Sequence, residues 1–308
     1  MLLSTRTVSR LERMRFNPRQ RLTSRHRGDH LRGRGGSSTE FSDYRDYSAG
    51  DDTRFIDWNI FSRLNRPYMK LYHLEEEMNV VIIVDASNSM KFDGKFDLAR
   101  KLAAALSLTG LFSNEKVSLY LLQDENLNIP ANISPCSGRF HRNQFFNFLE
   151  SAKCGGTLQL HQGIEQIMKR HKGHGMAFVI SDFLTAGDIS KSFNLLFSGG
   201  LAPYALQILS PAELNPELNG DVRFVDCETN NTLDVSAAGQ LTDIYLEYLE
   251  NFKTEIHNAC RKRNGLYLSS DSTSNIDDLL FNTLVRKGWL KWVLIFYRLP
   301  GFSYWLFP

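Results

Sequence analysis

Apolar residues fill Val80-Val81-Ile82-Ile83-Val84 without alternation, and the run stops at Asp85. An unbroken β-branched stretch of this kind predicts a strand buried on both faces, as in the middle of a parallel sheet. A second apolar run, 177–181, ends likewise on a carboxylate, and strands are also read over 117–122 and 204–209, with a last one over 265–268. Helical spacing appears between them. Phe96, Leu98, Leu102, Ala105, Leu106, Leu108 and Leu111 mark a helix over 95–112, and Phe145, Phe146 and Leu149 one over 142–152. Leu160, Ile164, Ile167 and Met168 share a further helical face, and helices are also expected over 189–197, 241–263 and 275–286. Residues 124–137 are polar and contain proline, which predicts a rim loop, whereas 222–226 and 232–235 read as a hairpin of the kind that extends a sheet edge. Strand, helix, strand in repetition is the pattern of a doubly wound α/β sheet with right-handed crossovers.

Chemistry concentrates where the first strand ends. Ser87 and Ser89 follow Asp85 at the second and fourth positions, and alternate residues of a loop leaving a strand can face one crevice at the carboxyl edge of the sheet. Hard oxygen donors without thiol or imidazole suit Mg²⁺ or Mn²⁺ better than zinc. A buried strand followed by a Ser-rich turn is also a common helix-capping arrangement.

Asp85-x-Ser87-x-Ser89 resembles the first element of the metal-ion-dependent adhesion site of von Willebrand factor A domains. That resemblance implies a Thr in a Gly-rich loop and an Asp at the end of a later strand. Gly155-Gly156-Thr157 and the run Ala177-Phe178-Val179-Ile180-Ser181-Asp182 stand in the matching order. By the same resemblance Ser87, Ser89 and Thr157 would supply hydroxyl oxygens to the cation, with Asp85 and Asp182 acting mainly through water. A carboxylate from a partner would complete the octahedron. Phe183 stands where such domains often have Gly.

Upstream, Arg32-Gly33-Arg34-Gly35-Gly36 leads into Glu40-Phe41, Tyr44-Arg45, Gly50-Asp51-Asp52 and Ile56-Asp57-Trp58. This stretch is too charged for a core and too aromatic for a linker. With Ser62-Arg63, Tyr68-Met69-Lys70-Leu71 and Glu75-Glu76-Glu77, it resembles the domain-of-unknown-function-58 family over roughly residues 20–285. The resemblance implies a von Willebrand factor A-like domain that works with a MoxR-type AAA+ ATPase as an adaptor in assembling or maturing other proteins, with no catalytic centre. The organisation expected is a basic N-terminal segment and appendage over 1–77, the α/β domain over 78–286 and an apolar tail over 287–308.

Composition bounds the alternatives. The 308 residues carry a net charge of +2, and 23% are charged, as in a soluble globular chain. Cys136, Cys154, Cys227 and Cys260 show no Cys-x-x-Cys spacing, which argues against zinc and a disulfide framework and suits a reducing cytosol. Arginines crowd residues 6–34, an arm that would bind nucleic acid through phosphates or else pair with nearby acids. No secretory apolar segment precedes it, so the expected location is the cytoplasm or its membrane periphery. In the tail, Lys291, Arg298 and Pro300-Gly301 interrupt the apolar run, leaving an interfacial membrane contact or packing onto the domain. The rival enzyme class is a Mg²⁺-dependent phosphate-ester hydrolase using Asp51, Asp52 or Asp57. Those carboxylates also read as a turn and a helix cap neutralised by Arg45 and Arg54. His26 and His30 lack a third ligand, and the cations of 169–174 are best placed as a helix C-terminal cap. Neither a nucleotide-binding Gly-x-x-x-x-Gly-Lys-Ser/Thr nor a Gly-x-Ser-x-Gly elbow occurs.

Overall fold

The computed structural model describes residues 2–19, 39–74, 78–123, 130–155, 159–184, 187–216, 222–225, 232–235 and 239–293. The chain begins with α1 (Thr5–Leu11) and β1 (Met14–Phe16), followed by β2 (Thr39–Asp46), α2 (Trp58–Leu64) and β3 (Tyr68–Leu74). Next come β4 (Asn79–Asp85), α3 (Lys95–Phe112), β5 (Lys116–Leu122), β6 (Ala131–Cys136), α4 (Arg142–Ser151) and α5 (Leu160–Met168). They lead to β7 (Gly175–Ser181), α6 (Ile189–Ser198), β8 (Leu201–Leu209), the short α7 (Pro211–Leu214), β9 (Val222–Val225) and β10 (Thr232–Val235). The last elements are α8 (Gly239–Arg261), β11 (Leu266–Asp271), α9 (Ile276–Asp278), α10 (Leu284–Arg286) and β12 (Leu290–Trp292).

Six strands form the central sheet in the order β11-β8-β7-β4-β5-β6, parallel throughout except for β6, which runs antiparallel to β5. Helices cover it because its strands are apolar on both sides. Val81, Ile83, Val179 and Ala205 pack with Leu160, Ile164, Phe193, Ile256 and Cys260 of α5, α6 and α8. The alternate residues face the other way: the Phe178 ring lies 5.1–5.9 Å from those of Phe16, Tyr204 and Trp289, and Tyr204 is 5.2 Å from Trp289. Helix α3 is buried nearly end to end, and its Ser107 and Thr109 hydroxyls return to the carbonyls of Ala103 and Ala105, which is how polar residues survive that burial.

Several expectations need correction. Residues 131–136 are not loop but the edge strand β6, whose burial is confined to Ile133 and whose Pro135 sits beside a register shift between Val117 and Leu119. An edge position with a bulge is where a sheet tolerates proline. The hairpin β9–β10 forms its own two-stranded sheet and does not extend the central one.

The division of the chain also differs from a simple N-terminal appendage. Among the described residues, those up to Arg19 cluster with those from Asn79 onward as one compact unit, and those between them form the second. The physical reason is β1, whose three residues pair antiparallel with β12 at the far end of the chain, Arg15 opposite Lys291. Burial reinforces the join: Leu3, Leu11, Met14, Trp289 and Leu290 are all in the core. Arg10 of the arginine-rich stretch lies 3.6 Å above the Phe281 ring, a cation-π contact within the fold. Residues 287–293 of the expected tail therefore pack back on the α/β unit. The rest of the tail, 294–308, and the basic segment 20–38 with His26 and His30 lie outside the described residues. Among the described residues no helix is long and apolar enough to cross a membrane.

The second unit is an antiparallel pair, β2 and β3, with a bulge between Phe41 and Asp43, and α2 between them in sequence. Asp57 accepts hydrogen bonds from the Asn59 and Ile60 amides as the N-cap of α2, and Lys70 Nζ approaches it at 3.1 Å.

Candidate metal centre

Strands β7, β4 and β5 are neighbours, but β5 follows β4 to one side while β7 lies on the other. The crevice beyond their carboxyl ends is thus a topological switch point, the position at which open α/β sheets bind ligands. Asp85, buried with 2% of its surface exposed, ends β4. Its Oδ1 accepts from the Ser87 amide at 2.9 Å and its Oδ2 from the Ser181 hydroxyl at 2.5 Å. Burial first, and the nearby Asp182 carboxylate second, push the Asp85 carboxyl up to about 6.

Ser87 and Ser89 enter a 3-10 turn, and their hydroxyl oxygens stand 3.0 Å apart, both buried. Two oxygens each about 2.1 Å from an octahedral Mg²⁺ and at right angles to it would be separated by about 3.0 Å, so the pair has the spacing of adjacent ligands. From the second loop, Cys154 Sγ donates to the Ser87 carbonyl at 2.9 Å and the Gly155 amide to the Ala86 carbonyl at 2.8 Å. Gly155 has φ +129°, a conformation side chains resist, and a Cβ there would meet Lys91 at 2.7 Å. The described end of this loop is therefore tied to the Asp85 turn. Thr157 itself, with Gly156, lies outside the described residues.

Asp182, fully buried, follows β7 directly. Its Oδ1 accepts from the Leu184 amide at 3.0 Å, and Gln207 Nε2 donates to its carbonyl at 2.8 Å. Phe183, in place of the Gly that the resemblance anticipates, adopts φ +59°. A bulky residue in the left-handed region is strained. The Phe183 amide bonded to Ser181 Oγ at 2.9 Å and the ring packed edge-on to Phe193 hold it there.

Sequence reasoning missed the group that dominates this corner. Lys95, the first residue of α3, is wholly buried, and its ammonium donates to Asp182 Oδ2 at 2.8 Å and to Glu213 Oε1 at 2.7 Å. Burial pushes the Lys95 ammonium down, but the two carboxylates outweigh it and the net displacement is upward. A signal existed: a lysine in the first helical turn opposes the macrodipole, so another anion must hold it. Ser210-Pro211-Ala212-Glu213 was likewise visible as a capping box, which the structure forms around α7.

Among the described residues no cluster of three His, Cys, Asp or Glu side chains is placed to hold a metal ion. The donor set here is different in kind, two hydroxyls flanked by carboxylates, and fits a hard cation coordinated through neutral oxygens. The alternative carboxylates are committed elsewhere: Asp51 pairs with Arg45 at 2.7 Å, Asp52 with Arg54 at 2.6 Å, and Asp57 caps α2. Each is held below the ordinary carboxylate range by its cationic partner, chiefly Arg45, Arg54 and Lys70 in turn.

Comparison with known proteins adds the following. An uncharacterized protein of Mycobacterium bovis is 24% identical over 288 residues, covering 90% of this chain and 89% of its own. The crystal structure of the conserved hypothetical protein BatB from Bacteroides thetaiotaomicron is similar with a TM-score of 0.42 and 17% identity, over 68% of this chain and 98% of that one. A von Willebrand factor type A structure from Catenulispora acidiphila has a TM-score of 0.36 and 13% identity, over 46% and 35% of the two chains. The model of the family described as protein of unknown function DUF58 matches residues 43–251, and the chain belongs to that family.

Proposed function

We propose that the chain is a von Willebrand factor A-like, doubly wound module whose carboxyl-edge crevice binds Mg²⁺ or Mn²⁺ and docks a carboxylate of another protein. The observation that carries this reading is the buried Ser87–Ser89 hydroxyl pair at 3.0 Å beside Asp85, at the switch point between β4 and β7. Ser87 and Ser89 would coordinate directly. Asp85, both of whose oxygens already accept hydrogen bonds, would act through water, as would Asp182, and Thr157 is the remaining hydroxyl. Neutral ligands leave a divalent ion short of negative charge, and the ion then supplies an electrophilic seat for an incoming carboxylate. The chain's own groups hold and orient that seat. The role is an adaptor, with a MoxR-type AAA+ ATPase as the partner implied by family resemblance and a client protein as the source of the carboxylate. Titration calorimetry with Mg²⁺ should give binding that Ser87→Ala and Asp85→Ala abolish, and a partner retained in Mg²⁺ should be released by chelator. No binding of Mg²⁺ or Mn²⁺ to the folded wild type would overturn the reading.

A further inference from the structure

The carboxyl edge already holds a cation. Lys95 Nζ bridges Asp182 Oδ2 and Glu213 Oε1, one carboxylate from the end of β7 and one from the turn after β8. Glu213 is itself a junction. Its Oε2 accepts from the Ser210 amide at 2.7 Å, its own amide donates to Ser210 Oγ at 3.2 Å, and its carbonyl accepts from the Tyr245 hydroxyl of α8 at 2.9 Å. A continuous polar path thus runs from Asp182 through Lys95 and Glu213 to α8. Near its end, Ile244 and Tyr248 are each 63% exposed one helical turn apart.

We infer that Lys95 is a resident counter-ion that competes with the divalent cation for Asp182 and, through its hold on Glu213, transmits ion occupancy to the 210–214 turn and α8. This rests on the metal reading above. The physical ground is charge: the ammonium sits on Asp182 Oδ2 while Oδ1 already accepts from the Leu184 amide, so a metal-bound water that hydrogen-bonds Asp182 would meet a carboxylate whose charge Lys95 already offsets. An ammonium within hydrogen-bonding reach neutralises the carboxylate that would draw the ion in, and Lys95 leans on Glu213 alone to the extent that the ion wins. Lys95 is a positioning residue in this scheme and touches no ligand.

The test compares Mg²⁺ titration of the wild type, Lys95→Met and Glu213→Gln in the full chain, with hydrogen exchange of residues 210–214 in Mg²⁺ and in chelator. Lys95→Met should bind Mg²⁺ at least about 10-fold more tightly, the factor matching the low end of a one-charge effect at 4–6 Å. Glu213→Gln should bind it more weakly, because the lysine is then left to Asp182. Exchange in 210–214 should respond to Mg²⁺ in the wild type and not in Lys95→Met, a readout that a purely packing role for Lys95 would leave unmoved. Unchanged or weaker binding by Lys95→Met, with a wild type that binds Mg²⁺, overturns the inference and leaves the metal reading standing. If Lys95→Met does not fold, Glu213→Gln decides alone: weaker binding supports the inference and equal binding overturns it. Absence of Mg²⁺ and Mn²⁺ binding in the folded wild type and both variants overturns the metal reading and this inference with it.

Discussion

Replacing Asp85 by Asn should make the protein more stable in chelator at neutral pH while removing its response to Mg²⁺. The carboxyl of Asp85 is pushed from its ordinary 3.8 up to about 6 by burial and by Asp182. A group raised in the folded state stabilises that state fully below 3.8, and the contribution is lost as pH rises through about 6. Above that, holding the charge costs about 3 kcal/mol, at 1.36 kcal/mol per unit. Asparagine removes the charge and keeps an oxygen for the Ser87 amide. The Ser181 hydroxyl, which already accepts from the Phe183 amide, loses its acceptor at Oδ2, and an unmade bond takes back about 1–2 kcal/mol. The net gain of about 1–2 kcal/mol corresponds to a rise of roughly 2–8 °C in melting temperature for a unit of this size. Thermal melts of both proteins in chelator, run from pH 4 to 8, should show no gap in favour of the variant at the acid end and one opening between pH 4 and 6. Adding Mg²⁺ at pH 7.5 should raise only the wild type. A variant that melts below the wild type in chelator at pH 7.5 would refute the argument, because the carboxylate would then be a net stabiliser with no ion present.

Gly175→Ala should cost more than about 3 kcal/mol in denaturant unfolding, beyond the ordinary range of overpacking, because its Cβ would lie 1.8 Å from the Asn79 carbonyl and force β4 from β7. A loss under about 1 kcal/mol would contradict the close strand approach. Asp57→Ala should speed hydrogen exchange at the Asn59 and Ile60 amides, which lose their acceptor, without changing exchange in β4 or β7. Unaltered exchange at those two amides would mean that the cap does not hold α2.

The central strands were legible because burial on both faces leaves largely apolar runs, unbroken in β4 and β7 and interrupted only by Ser118 in β5 and Gln207 in β8. Asp85, Ser87 and Ser89 were legible for a related reason: they follow such a strand within four residues. What escaped was either short or remote. Strands β1 and β12 have three residues each, too few to show a period, and pair across more than 270 positions. Strand β6 buries one apolar side chain, so its composition is that of a loop. Lys95 meets Asp182 and Glu213 over separations of 87 and 118 residues, so although its place in the first helical turn calls for an anion, nothing in the sequence says which one. Of the alternatives open for the tail, interfacial contact or packing onto the domain, Trp289 takes the second and packs against Phe178 and Tyr204 in the core.

The two aspartates at the carboxyl edge are treated in opposite ways, and on the proposed metal reading that asymmetry would govern how an ion is held. Asp182 has an internal cation and a backbone amide; Asp85 has a hydroxyl and a backbone amide, and forms no ion pair among the described residues. Lys95 offsets one of the two charges of Asp182 and Glu213, so one unit stays spread over that bridge and the charge beside the Ser87–Ser89 pair is the separate unit on Asp85. A divalent ion drawn to it keeps a surplus positive charge, since Ser87 and Ser89 contribute none. That surplus is satisfied most cheaply by an anion from outside the chain. A crevice with both aspartates free would neutralise the ion internally and hold it for its own stability. On the proposed metal reading, the Lys95 bridge would favour a site completed by a partner's carboxylate over one that holds the ion for stability alone, with the buried strands β4 and β7 fixing its geometry.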